Sequence, residues 1–106
     1  MKQKVKEANR YYQSLYPGYL ILYKLPLYYV AFGEFGVRLA KLSEVFSLKA
    51  FYEMPAVIIE AVIFQCRMKI LEDMNIPYKV IAYVDDTGML SIPDVQRLVE
   101  EEEMDY

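Results

Sequence analysis

The sequence predicts a small α/β (α+β) domain in which a mixed sheet of about four strands is covered by helices. Three observations carry that expectation. The run from Tyr19 to Phe32, YLILYKLPLYYVAF, is dense in β-branched and aromatic residues, which fit a pleated surface. A second such run, YKVIAYV, spans Tyr78 to Val84. Around both lie segments whose apolar residues recur at helical spacing, so helices alternate with strands as in layered α/β architectures.

Taken in order, Lys2 to Leu15 reads as a polar helix with Val5, Ala8, Tyr12 and Leu15 near one face. Pro17-Gly18 ends it, a pair that marks a turn. Proline donates no ladder hydrogen bond, so Pro26 divides the next run into strands Tyr19–Lys24 and Leu27–Phe32 meeting at a tight bend. Gly33 and Gly36 flank a short break. Val37, Leu39, Ala40, Leu42 and Val45 then predict a second helix to about Val45, with Arg38, Lys41 and Glu44 sharing its solvent side. Phe46 to Glu53 alternates apolar and polar residues as a third strand would.

Ala56 to Met74, AVIIEAVIFQCRMKILEDM, is the most apolar segment. Its length predicts a helix despite its β-branched residues. Pro55 suits the first turn, and the all-round apolar first half predicts burial against the sheet. Asn75 and Pro77 end it. The strand Tyr78–Val84 follows, then a turn at Asp85-Asp86-Thr87-Gly88. Ser91-Ile92-Pro93-Asp94 opens a last helix through Val95, Leu98 and Val99 into an acidic tail at about 94–106. The expected order is α-β-β-α-β-α-β-α, in one domain spanning 1–106 without linker or internal repeat.

Composition bounds the function. The hydrophobic fraction of 56% exceeds the roughly 45–50% of typical soluble domains, and eleven tyrosines supply part of the excess. Tyrosine is enriched at interfaces as well as in half-buried sites, so apolar surface is expected to remain for a partner. Glu100–Glu103 and Asp105 hold five of the 15 acidic residues; with them set aside, 12 basic residues face ten acidic ones. The chain is polarised, basic at its start and acidic at its end. Such a pattern describes two solvated helix ends, or a basic face for a polyanion kept apart from an acidic tail.

Little in the sequence points to catalysis. Histidine is absent, which removes the commonest general base and imidazole ligand. Cys66 is the only cysteine, so no intrachain disulfide forms, and its apolar surroundings predict a small buried hydrophobe. Asp85-Asp86 reads as a solvated turn, and Gly33-Glu34-Phe35-Gly36 lacks the Walker pattern. No enzyme, cofactor, metal or small-molecule substrate is expected. The polar start does not resemble a signal peptide, and Lys24, Pro26, Glu60 and Gln65 break every long apolar run, so the expectation is a cytoplasmic protein without a membrane span. Tyr23, Lys24, Tyr28 and Tyr29 interleave rings with a base. Nucleic-acid surfaces use that combination for stacking and phosphate contact, although alternating tyrosines also pack sheets and a lysine at a strand edge also snorkels.

From Tyr12 to Phe32 the chain resembles the start of the N-terminal mismatch-recognition domain of the MutS DNA mismatch repair family. Pro17 falls on that domain's turn, Leu20–Tyr23 on its first strand, and Lys24-Leu25 on a basic-apolar pair. Pro26 to Phe32 falls on its Gly-Asp-Phe-Tyr-Glu-Leu-Phe motif. Val37–Val45, Met54-Pro55 with the following helix, and Tyr78–Val84 extend the likeness in order over about residues 10 to 86. In that family the motif's Phe wedges beside the mispaired base and its Glu bonds that base. Tyr28 here stands at the Phe position and keeps a ring, whereas Val30 stands at the Glu position and Pro26-Leu27 replace Gly-Asp. The resemblance implies double-stranded DNA binding without specific mismatch reading, with Tyr28 as wedge and Lys24, Arg38 and Lys41 on phosphates. The alternative is a module that binds itself or another protein and has lost DNA binding.

Overall fold

In the computed structural model, which describes residues 2–51 and 54–81, the bend at Pro26 produces the expected hairpin. Strand β1 (Leu20–Lys24) pairs antiparallel with β2 (Tyr28–Phe32), Tyr23 lying opposite Val30 and Lys24 opposite Tyr29. The sheet is mixed and open. Its order is β3-β4-β2-β1-β5, with β3 (Leu48–Phe51), β4 (Met54–Glu60) and β5 (Tyr78–Ile81). Among the described strands only the β1–β5 pair is parallel. Helix α1 spans Lys2–Leu15, α2 Glu34–Leu42 and α3 Phe64–Asp73. The α+β class expected from the sequence is the one observed, with five described strands rather than four.

The segment Ala56–Met74 departs most from expectation. It is not one helix: residues up to Glu60 belong to β4, Ala61–Ile63 form a single 3-10 turn, and α3 starts only at Phe64. Strand β4 lies between β2 and β3 and pairs with both. An interior strand is covered on both sides and reads as a continuous apolar run, and Val57, Ile58 and Ile59 supply the β-branched residues that fit it. Length misleads here because strand and helix abut with three residues between them. Pro55 sits near the strand's start, where a missing N–H is tolerated, and its carbonyl accepts from the Gly33 N–H at 2.7 Å.

Helix α2 starts earlier and ends sooner than its pattern suggests. Gly33, at φ 62°, turns the chain directly out of β2, a left-handed conformation that glycine adopts without steric cost. Ser43 is extended and stops the helix; its hydroxyl accepts from the Val45 N–H at 3.3 Å. Helix α3 ends as the sequence predicts. Asn75 has φ 57°, its N–H bonds the Glu72 carbonyl, and the Ile76 N–H bonds that of Leu71, a Schellman closure. Cys66 is exposed, contrary to expectation, because α3 turns Phe64, Met68 and Leu71 inward and Cys66 falls between those positions. The last residues of the Phe46–Glu53 and Tyr78–Val84 strands, the Asp85–Gly88 turn, the last helix and the acidic tail lie outside the described residues.

Leu20, Ile21 and Leu22 are all fully buried. Successive strand residues point to opposite faces, so helices cover both sides of β1. Tyr23 and Tyr12 meet edge-on at 6.0 Å between ring centroids, placing α1 on one face. Tyr29 points to the other, where its ring stacks on Phe64 at 3.5 Å and places α3 there. Helix α2 packs across β2 and β4 so closely that a Cβ on Gly36 would lie 2.8 Å from the Ala31 carbonyl oxygen and 3.2 Å from Ala56 Cα and Val57 N. All three neighbours are backbone atoms that cannot rotate away. Gly36→Ala is therefore expected to cost about 1–3 kcal/mol through overpacking, read as a lowered midpoint in urea unfolding.

Candidate interaction site at the hairpin tip

The β1–β2 connection is short and firmly held. The Leu25 N–H donates to the Tyr28 carbonyl at 2.7 Å, closing the turn, and the Leu25 side chain is buried beneath it. The Ala61 N–H donates to the Leu27 carbonyl at 2.9 Å, tying the tip to the 3-10 turn after β4. Two exposed aliphatic residues lie at this end of the sheet. Leu27 is 70% exposed and Val62 89%, the highest values among the exposed large apolar residues described. Lys24 ends β1 and Glu60 ends β4, both exposed, with β2 between them. Their register sends the two charges to opposite faces of the sheet, Lys24 with Tyr29 and Glu60 with Tyr28.

The residues singled out for nucleic acid distribute over this frame. Lys24 and Tyr28 come to the same end of the sheet, but register separates their faces: Lys24 lies opposite Tyr29, whereas half-buried Tyr28 lies opposite Glu60. Arg38 and Lys41 are exposed on α2, three residues apart and off the hairpin. Leu27 and Val62 escaped the sequence reading. Pro26 did mark the bend beside Leu27, but nothing in Ala61-Val62-Ile63 distinguishes an exposed turn from the middle of a buried helix.

Depressions also lie elsewhere. A cleft of about 490 Å³ beside α1 is lined by Lys6, Arg10, Gly33, Glu34 and Pro55. Its central polar group, the Asn9 amide, is already engaged: Nδ2 donates to the Phe32 carbonyl at 3.1 Å, and Oδ1 accepts from the Tyr23 hydroxyl at 2.9 Å. A smaller depression of about 370 Å³ is lined by Phe64, Met68, Lys69, Glu72 and Tyr78. There the Tyr78 hydroxyl donates to Glu72 at 3.3 Å. Desolvation and then the neighbouring carboxylate push the Tyr78 phenol above its ordinary range. Among the described residues, no group of three or more acidic, cysteine or histidine side chains could hold a metal, and no helix is long and apolar enough to cross a membrane.

No family model or curated protein matches the chain.

One buried group carries a pH signature. Desolvation, with a smaller contribution from Tyr12, raises the Tyr23 phenol far above its ordinary value of 10.0. Above about pH 10 the unfolded chain loses this proton and the folded chain keeps it, so stability falls as pH rises. Wild type is expected to lose up to about 1.4 kcal/mol per pH unit from this group above pH 10. Tyr23→Phe should remove that component from alkaline unfolding curves.

Proposed function

We propose that this domain is a protein-interaction module that docks through the tip formed by Leu27 and Val62. The supporting observation is the exposure of Leu27 and Val62 beside a main-chain hydrogen bond from Ala61 to Leu27, where burial would otherwise stabilise both side chains. Each side chain covers little area, but fixed backbone lowers the ordering cost of binding. A photo-crosslinking residue at position 27 of the full chain should yield defined protein adducts in cell extract. The same residue at exposed Lys69, on α3, should not. Absence of adducts specific to position 27 would refute the docking site.

A second reading, DNA binding, is favoured by a separate observation. Over the described residues, Lys and Arg outnumber Asp and Glu by eleven to six, a basic body that suits phosphate. The likeness to the MutS recognition domain supports the same reading, with Tyr28 as wedge and Lys24, Arg38 and Lys41 as phosphate contacts. Three such contacts imply an affinity falling about forty-fold between 50 and 200 mM salt, measurable by fluorescence anisotropy on matched and mismatched duplexes. Tyr28→Ala should weaken mismatch binding in particular, and no binding at low salt would rule DNA out.

A further inference from the structure

We propose that the cleft beside α1 binds a small zwitterion of the α-amino acid class, its carboxylate on Arg10 and Lys6 and its ammonium on Glu34. Lys6 and Arg10 stand four residues apart on α1, hence on one face of the helix, and both line the cleft. Glu34, the first residue of α2, lines it too. Among the described residues no ion pair joins Glu34 to either cation, so charges of both signs share one depression without pairing. A ligand carrying both signs satisfies all three. A simple anion would meet the Glu34 carboxylate as well, and a simple cation would meet two like charges, which weakens binding of either. The guanidinium fork of Arg10 matches a carboxylate through two parallel hydrogen bonds, and Glu34 accepts from an ammonium. Half-buried Pro55 and its neighbour Met54 add apolar lining, which favours an aliphatic side chain on the ligand.

The fold holds this cleft in shape. The Asn9 amide of α1 donates to the Phe32 carbonyl at 3.1 Å, and the Gly33 N–H donates to the Pro55 carbonyl at 2.7 Å. These bonds tie α1, the end of β2 and the start of β4 together around the depression, so its walls stand before a ligand arrives. Its volume of about 490 Å³ falls within the roughly 300–1,000 Å³ of small-molecule sites. Lys6, Arg10 and Glu34 are all exposed, and exposed charges each contribute little. The affinity is therefore weak, with a Kd on the order of 1 mM.

An NMR titration of the full chain with L-leucine, carried to roughly ten times that concentration, tests the site. The amide resonances of Asn9, Arg10, Gly33 and Glu34 should shift and saturate. Isopentylamine lacks leucine's carboxylate and isocaproate lacks its ammonium; each should bind wild type at least about five-fold more weakly. In Glu34→Gln, leucine should lose its advantage over isocaproate. In Lys6→Gln with Arg10→Gln, it should lose its advantage over isopentylamine. All three positions are exposed, so circular dichroism and thermal unfolding should remain as in wild type, and the analogue series in wild type depends on no variant folding. Absence of saturable shifts at these residues overturns the proposal. So does an analogue that binds wild type as tightly as leucine, or leucine binding that the variants leave unchanged.

Discussion

The pairing of Tyr23 with Val30 sets the register on which the other strands are laid. A slip of one residue would turn every side chain of β2 to the opposite face. Tyr29 would then lose the stack on Phe64, and Val30 would leave the buried side. With the register held, β2 templates β4 through five successive pairs, from Tyr28–Glu60 to Phe32–Ala56. Strand β1 templates β5 through four, from Leu20–Tyr78 to Tyr23–Ile81. The hairpin is local in sequence, so its closure costs little chain entropy compared with the distant pairings built on it.

The same register joins core to surface. Tyr23 faces inward, where its hydroxyl finds Asn9, and Asn9 also caps the Phe32 carbonyl at the end of β2. One side chain of α1 thereby holds both strands of the hairpin while leaving the phenol partnered, which matters because an unpaired buried hydroxyl is costly. The opposite end of the hairpin is held by its turn. Leu25 turns in, Leu27 turns out, and Ala61 fastens the turn from the neighbouring strand. Leu27 and Val62 are the most exposed large apolar residues described, and both lie at this end of the sheet.

Much of this was legible before the structure. Pro26 inside an aromatic run marked the hairpin because proline breaks a ladder, and Asn75 before Pro77 marked a helix end because asparagine tolerates the left-handed backbone. Helix α1 and the position of Tyr78–Ile81 followed from periodicity. The division of Ala56–Met74 into strand, turn and helix did not. A covered strand and a buried helix are both apolar without a break, and residue type alone left Val57–Ile59 ambiguous between them. The candidate site suffered from the same ambiguity, since Val62 disappears into that run.

The sequence by itself determined that this chain forms a layered α+β domain with a hairpin at Pro26, because turn chemistry and residue preference act over a few neighbours. Tertiary structure alone decided that Lys24 and Tyr28 face opposite ways, that Gly36 packs on the main chain of β2 and β4, and that the Ala61 N–H bonds the Leu27 carbonyl. These depend on register and on contacts between residues up to 34 positions apart, which no local pattern records.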